Sequence, residues 1–123
     1  MKYDHSYRPP APSLRVRLSK PFSDRSVELT AKLDTGADIT VIPRHVLNKL
    51  KLIPGRRIQV SSFDGAVESK YTYFVDISFQ GFSFPMVEVV AARRRDALLG
   101  RDILNRLKTM LDGKNLSFEL TDP

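Results

Sequence analysis

The chain has no cysteine among its 123 residues. A disulfide framework, a thiol nucleophile and a cysteine-based metal site are therefore excluded, and the composition is typical of a reducing compartment. Histidine is almost as scarce, because the sequence holds only His5 and His45, which lie far apart. A His-rich metal site or a Ser-His-Asp triad would depend on one of these two residues, so we expect no metal site.

Long apolar runs are also missing. The longest is far shorter than the ~18 residues that a membrane span needs, and the N-terminal "MKYDHSYRPPAP" lacks the apolar stretch of a signal peptide. We therefore expect a soluble, cytoplasmic protein with no membrane partner. Prolines at positions 9, 10 and 12 block both helix and central strand. They predict a flexible N-terminal segment over residues 1–12, followed by a single domain over residues 13–123.

Positive charge exceeds negative charge, with 20 lysines and arginines against 14 aspartates and glutamates. The densest positive positions are residues 56–57 and 93–95. A basic surface can attract nucleic acid or acidic protein segments. No recognised nucleic-acid motif accompanies these arginines, and aromatic and basic residues do not interleave. We interpret the arginines as solvated loop residues and rank nucleic-acid binding last.

Alternation of apolar and polar residues dominates the sequence. The stretches "SLRVRL" and "SVELTAKL" have period two, which predicts half-buried strands. Helical spacing occurs in "PRHVLNKLKL", with Pro43 at the first helical position, and in "RDILNRLKTM", where it includes Ile103, Leu104 and Leu107. These patterns predict an all-β domain with two short helices.

Turn residues separate the remaining alternating runs. Hairpins are predicted around Asp64-Gly65, Gln80-Gly81 and Asp112-Gly113, because glycine there permits the positive φ of tight turns. Pro85 is expected at an edge or a bulge, since it cannot donate to a strand ladder. Asp102 lies near the start of the second helix and is interpreted as a surface or turn residue.

The stretch "AKLDTGADITVIP" places Asp34 where an apolar run enters a turn. A single carboxylate there can be an ordinary turn residue that bonds local amides. Two carboxylates within a few ångströms cannot both ionise easily, so such a pair holds one proton and can act as base and acid together. The sequence holds one Asp-Thr-Gly, so the second aspartate would have to come from a second copy across a two-fold axis.

The motif "LDTGADITVI", followed after a hairpin by "ALLGRDIL", resembles the retroviral-type aspartic proteases, or retropepsins, and their stand-alone cellular members. The resemblance covers roughly residues 13–120 in element order. It implies a closed-barrel lobe with a flap hairpin, a two-fold homodimer, and an aspartic endopeptidase that hydrolyses extended polypeptide segments without a cofactor. The alternative is a module of the same fold that binds a peptide or protein without cutting it.

The resemblance also implies residue roles. Asp34 would be half of the catalytic pair, the Thr35 hydroxyl would bond across the dimer axis, and the Gly36 carbonyl would meet the substrate. The flap tip would close over the peptide. The expected catalytic residues are Asp34, Thr35 and Gly36. The expected substrate contacts are Gly36, Asp38, Phe63, Asp64, Gly65 and Ala66. The expected structural supports are Ala37, Leu98, Leu99, Gly100 and Arg101, and Arg101 is expected to form an ion pair with Asp38.

Two departures from the family pattern concern the flap and the chain ends. Retroviral flap tips are rich in glycine, whereas "SSFDGAVES" has one glycine. The terminal strands of the viral enzymes interleave in the dimer, but here the start is rich in proline and the C-terminal "MLDGKNLSFELTDP" is longer. The sequence therefore predicts a dimer without specifying its interface.

Overall fold

The computed structural model describes residues 1–61 and 64–122. Within these residues no helix is long and apolar enough to cross a membrane. The described residues form ten strands and two short helices. The strands are β1 Ser13–Ser19, β2 Ser26–Leu33, β3 Val41–Pro43, β4 Arg57–Ser61, β5 Val67–Tyr71, β6 Tyr73–Phe79, β7 Phe82–Ala92, β8 Ala97–Leu99, β9 Lys108–Asp112 and β10 Ser117–Thr121; the helices are α1 Arg44–Leu50 and α2 Arg101–Leu104.

Six of the strands close into a barrel in the order β1-β2-β8-β3-β7-β6, with β6 pairing back to β1. Burial alternates along β1, where the predicted inward residues Leu14, Val16 and Leu18 are buried. The barrel interior is filled by apolar side chains from several strands, because closure leaves one face of each strand without water. Fully buried members include Leu18, Ala31, Ile77, Val89 and Leu99. The prediction of an all-β, closed-barrel fold with two short helices is confirmed.

The remaining strands form two hairpins beside the barrel, β4–β5 and β9–β10. The β4–β5 hairpin lies where it was predicted, and Gly65 at its tip has φ of 86°. The predicted hairpin of β6 and β7 turns at Gln80 and Gly81, with φ of 49° and 82°. The ladder shifts register opposite Pro85, and the Met86 amide donates to Asp76 Oδ1 at 2.9 Å. The predicted bulge is therefore confirmed.

The second helix is shorter than its sequence pattern predicted. It ends at Leu104, and the Leu107 amide closes a turn onto the Leu104 carbonyl at 3.1 Å. From Lys108 onward the chain pairs with β10 as strand β9. The pairing of β9 with β10 overrides the helical spacing of the apolar residues, so the prediction that the helix extends to Leu107 was wrong. Pro43 is the last residue of β3 and the N-cap of α1, one residue before its predicted place.

The N-terminal residues run beside β10. Met1 and Phe118 exchange two main-chain hydrogen bonds of 2.8 Å, and the Tyr3 amide donates to the Leu116 carbonyl at 2.8 Å. Further along, the Tyr7 hydroxyl donates to Asp96. Burial, followed by this hydrogen bond, raises the pKa of Tyr7. The flexibility and the domain boundary predicted for residues 1–12 stay predictions, while the structure gives this segment defined contacts with the barrel and with β10.

Candidate active site

Asp34 begins an exposed turn directly after β2. Its amide donates to the Leu99 carbonyl at 2.9 Å, which fixes the main chain to β8. Its Oδ1 accepts from the Gly36 amide at 3.0 Å, and the Ala37 amide donates to the Asp34 carbonyl at 3.2 Å. Asp34 is half-buried, whereas Thr35 and Gly36 are exposed. The turn therefore presents one carboxyl group at the surface in a defined orientation.

Strand β8 lies between the strands that enter and leave this turn. Leu33 at the end of β2 pairs in parallel with Leu99, and Val41 in β3 pairs with Leu98. Leu99 is fully buried and Leu98 is half-buried, so the apolar pair anchors the turn from below. The structure brings the two sequence motifs together at this point. We call residues 34–40, which include the predicted catalytic residues, the catalytic loop from here on.

Gly100 allows α2 to begin against the catalytic loop. A Cβ at this position would lie 2.9 Å from the Ala37 carbonyl oxygen and 2.9 Å from the Ile39 carbonyl carbon. Such distances are shorter than any side chain accepts, so close backbone approach requires glycine. The next amide, that of Arg101, donates to the Ala37 carbonyl at 2.8 Å. The start of α2 and the catalytic loop therefore form one tightly packed unit.

The Arg101 guanidinium contacts the loop at two residues. Nη1 donates to the Thr35 carbonyl at 2.7 Å, and Nη2 forms an ion pair with Asp38 Oδ1. The Asp38 side chain is 84% exposed and that of Arg101 is 43% exposed. An ion pair this accessible to water contributes little to stability by itself. Its main effect is to orient the loop, and it leaves the exposed Asp38 carboxylate within reach of a bound molecule.

A buried hydrogen-bond network under the loop was missed at the sequence level. Thr40 is fully buried, and its amide and Oγ1 donate to the two carboxyl oxygens of Asp102 at 2.9 and 2.8 Å. Thr40 Oγ1 also accepts from the Gly100 amide at 3.1 Å. The interpretation of Asp102 as a surface or turn residue was wrong, because its carboxylate is the acceptor for the end of the loop. The sequence signal was a threonine inside an apolar run.

A cleft of about 480 Å³ opens beside the catalytic loop. The loop forms one wall, and β4 of the β4–β5 hairpin forms the opposite wall. Its lining combines apolar residues with the polar residues Asp38, Gln59 and Ser61. The lining residues are Gly36, Ala37, Asp38, Ile39, Val41, Ile58, Gln59, Val60, Ser61 and Val90. The cleft can therefore accept an apolar side chain next to main-chain groups and the Asp38 carboxylate.

The β4–β5 hairpin is fixed at its base. Arg56 donates to both carboxylate oxygens of Glu88 on β7, from Nε at 2.8 Å and from Nη2 at 3.0 Å. Hydrogen bonds from Arg56, and then from Thr72, hold the pKa of Glu88 below its ordinary value. Gly55 also donates to the Thr72 carbonyl at 2.7 Å. These contacts hold the two ends of the hairpin against the barrel.

The tip of the same hairpin is exposed. Asp64, Gly65 and Ala66 all face solvent, and the Ala66 amide donates to Asp64 Oδ1 at 3.0 Å. The lining of the cleft comes from β4 rather than from these three residues. Phe63, which was also predicted to contact substrate, lies outside the described residues. Within residues 1–61 and 64–122, no group of three or more His, Asp or Glu side chains could hold a metal ion.

Comparison with known proteins places this chain in a family. Residues 23–106 match the family described as "gag-polyprotein putative aspartyl protease". Among solved structures, EIAV protease bound to an inhibitor is 28% identical, with a TM-score of 0.58 over 77% of this chain and 86% of that one. No curated protein matches the chain.

Two more distant structures share the fold. A retropepsin-like aspartic protease from Rickettsia conorii is 16% identical, with a TM-score of 0.59 over 86% of this chain and 80% of that one. The retroviral protease-like domain of Ddi1 from Leishmania major is 18% identical, with a TM-score of 0.52 over 87% and 86%. The chain thus belongs to the family of gag-polyprotein aspartyl proteases, and its barrel has the retropepsin-like fold.

Proposed function

We propose that the protein is an aspartic endopeptidase that works as a two-fold homodimer, with one Asp34 from each subunit forming the catalytic pair. The observation that carries this proposal is the Asp34 turn. Its carboxyl group is oriented by the Gly36 amide at 3.0 Å at the end of β2, and the cleft begins two residues further on, at Gly36. Family membership and the fold support the same reading.

The chemistry follows from two carboxyl groups that share one proton. The ionised member takes a proton from water, and the resulting hydroxide attacks the peptide carbonyl carbon. The protonated member gives its proton to the carbonyl oxygen, so the tetrahedral intermediate forms without a covalent link to the protein. When the intermediate collapses, the leaving amine receives a proton from the pair. Holding both carboxyl groups in place removes much of the entropic cost of this step.

The described residues fit an extended substrate. One edge of β4 pairs with β5, and residues 36–39 of the catalytic loop form another part of the cleft wall. A peptide in extended form could pair with main-chain groups on both walls, as added strands do in other complexes. Its apolar side chain would enter the space between Ile39, Val41 and Val60. The Gly36 carbonyl and the exposed Asp38 carboxylate would accept hydrogen bonds from peptide amides.

The remaining predicted residues keep supporting roles in this proposal. Thr35 is exposed next to Asp34, and its hydroxyl would form a hydrogen bond with the partner loop across the axis. Leu98, Leu99, Gly100 and Arg101 would support the loop, and Ala37 connects it to α2 by accepting the Arg101 amide. The tip at Asp64, Gly65 and Ala66 would move over the bound peptide.

The test compares Asp34→Asn with Asp24→Asn, a matched change at an exposed aspartate in the β1–β2 turn. Both variants are assayed for cleavage of a peptide library. We expect Asp34→Asn to lose about 10²- to 10⁴-fold or more in kcat/KM, because the acid–base pair is destroyed. Asp24→Asn should match the parent.

Equal cleavage by Asp34→Asn and the parent protein would refute the proposal. Saturable peptide binding by the parent, without turnover across the pH range, would instead support the non-catalytic binding module.

A further inference from the structure

The small sheet made by β9 and β10 has one covered edge and one open edge. On the covered edge, Met1 and Phe118 exchange two hydrogen bonds, and Lys2 pairs with Ser117. In the part of the chain that the structure describes, β9 pairs with β10 alone, so its other edge has no strand beside it. The main-chain groups along an open edge offer a template for a further strand.

The side chains of β9 suit a contact surface. Met110 is 51% exposed and Leu111 is 45% exposed, although both are large and apolar. Charged residues, Lys108 and Asp112, stand only at the two ends of the strand. Apolar exposure in the middle of an edge strand is a feature that isolated proteins usually avoid.

The strand is also complementary to itself. In an antiparallel pair of two β9 strands centred on Met110, Lys108 of each copy stands opposite Asp112 of the other. On the opposite face of the ladder, Thr109 stands opposite Leu111 of the second copy. If the two-fold axis passed through a residue next to Met110 instead, Lys108 would no longer stand opposite Asp112, and both charge pairs would be lost. Opposite charges at directly facing positions stabilise a strand pair, and a two-fold axis provides this match twice.

We propose that β9 is the dimer contact and that it pairs antiparallel with β9 of a second copy of this chain, with Met110 on the two-fold axis. This inference rests on the proposed function, which needs two Asp34 loops near one axis. Helix α2 connects the two places, because its first residues hold the catalytic loop and its end leads within four residues to β9. In this proposal, one two-fold axis serves both the β9 contact and the Asp34 pair.

This interface differs from one in which terminal strands interleave between subunits. Here residues 1–3 stay on β10 of their own chain. The dimer sheet would contain, in order, residues 1–3, β10 and β9 of one copy, followed by the same elements of the other in reverse. Each subunit keeps its own terminal segments, and the contact consists of two central strands.

A cysteine scan tests the geometry directly, because the chain has no cysteine of its own. In the proposed dimer, the two copies of residue 110 have Cα atoms about 4.5–5.5 Å apart, within the range for a disulfide. Met110→Cys should therefore give a covalent dimer under mild oxidation. Glu119→Cys is the matched control, since Glu119 pairs with Met110 across β9–β10 and is also exposed. Its two copies would stand about 14 Å apart, three strand spacings, and should cross-link at least about 10-fold more slowly.

Sedimentation and activity separate this inference from the proposed function. We expect the parent to sediment as a dimer and the cross-linked Met110→Cys dimer to cleave peptides. A dimeric, active parent whose Met110→Cys variant cross-links no faster than Glu119→Cys would overturn the β9 contact and leave the Asp34 pair standing. A parent that sediments only as a monomer and still cleaves peptides would overturn both.

A charge reversal gives an independent readout. Lys108→Glu places two acidic residues opposite each other at both ends of the paired strands. We expect the dimer dissociation constant to rise about 10- to 100-fold. Lys114→Glu makes the same charge change in the β9–β10 turn, outside the paired strands, and should leave the constant within about 3-fold of the parent. Equal effects of the two changes would contradict the proposed register.

Discussion

Replacing Thr40 by valine keeps the shape of a fully buried side chain and removes its hydroxyl. In the parent, Oγ1 donates to Asp102 Oδ1 at 2.8 Å and accepts from the Gly100 amide at 3.1 Å. Thr40→Val removes both hydrogen bonds and leaves the buried Gly100 amide without this acceptor. The Asp102 carboxylate keeps its bonds from the amides of Thr40 and Ile103, both at 2.9 Å.

The magnitude follows from these contacts. A hydrogen bond to a charged group contributes about 1.5–3 kcal/mol, and an unsatisfied buried amide costs about 1–3 kcal/mol. Some relaxation of the loop is expected, so we predict a loss of about 3–4 kcal/mol in the free energy of unfolding. That loss is a large share of the ~5–15 kcal/mol that stabilises a typical domain.

Urea unfolding at fixed protein concentration measures this loss, because dimerisation would otherwise alter the apparent stability. Thr121→Val is the matched control, at an exposed threonine on β10, and should change stability by less than about 0.5 kcal/mol. A double-mutant cycle with Asp102→Ala should give a coupling energy of about 1–3 kcal/mol. A Thr40→Val variant as stable as the control would refute the role assigned to this network.

Two further predictions concern the supports of the cleft. Gly100→Ala places a Cβ 2.9 Å from the Ala37 carbonyl oxygen, so we expect a loss of about 1–3 kcal/mol in unfolding free energy and lower kcat; unchanged values of both would contradict the tight packing at this point. Arg56→Gln removes the partner that lowers the pKa of Glu88 from its ordinary 4.5. A lowered folded-state pKa gives stability above pH 4.5 that is lost as the pH falls through that lowered pKa, so the variant should be less stable than the parent at pH 7, and this deficit should be smaller at pH 3. Chemical unfolding at the two pH values checks this, and an equal deficit at both would contradict it.

The strands of the barrel could be predicted from the sequence because each has one buried face. Alternation in residues 13–18 and 26–33 reports that burial directly. The Asp34 turn and the apolar pair before Gly100 were visible for a related reason, since both are short local motifs. That these two motifs lie next to each other in the folded chain was predicted from the family resemblance.

Long-range polar contacts could not be predicted in the same way. Thr40 and Asp102 lie 62 residues apart, and Met1 and Phe118 lie 117 residues apart. Neither pair produces a periodic pattern in the sequence, because a single hydrogen bond constrains only the two residues that form it. The early end of α2 has the same origin, since the pairing of β9 with β10 is set by residues that follow the helix.

The central claim is that two chains each supply one Asp34 to the working site. A mixing measurement tests it most directly: the parent is held at one concentration, and inactive Asp34→Asn chain is added and allowed to exchange subunits. Because mixed dimers have only one intact aspartate, activity should fall to about one half with an equal amount of variant and to about one quarter with a threefold excess. Activity that stays constant while mixed dimers form would show that one chain suffices, and it would contradict the account.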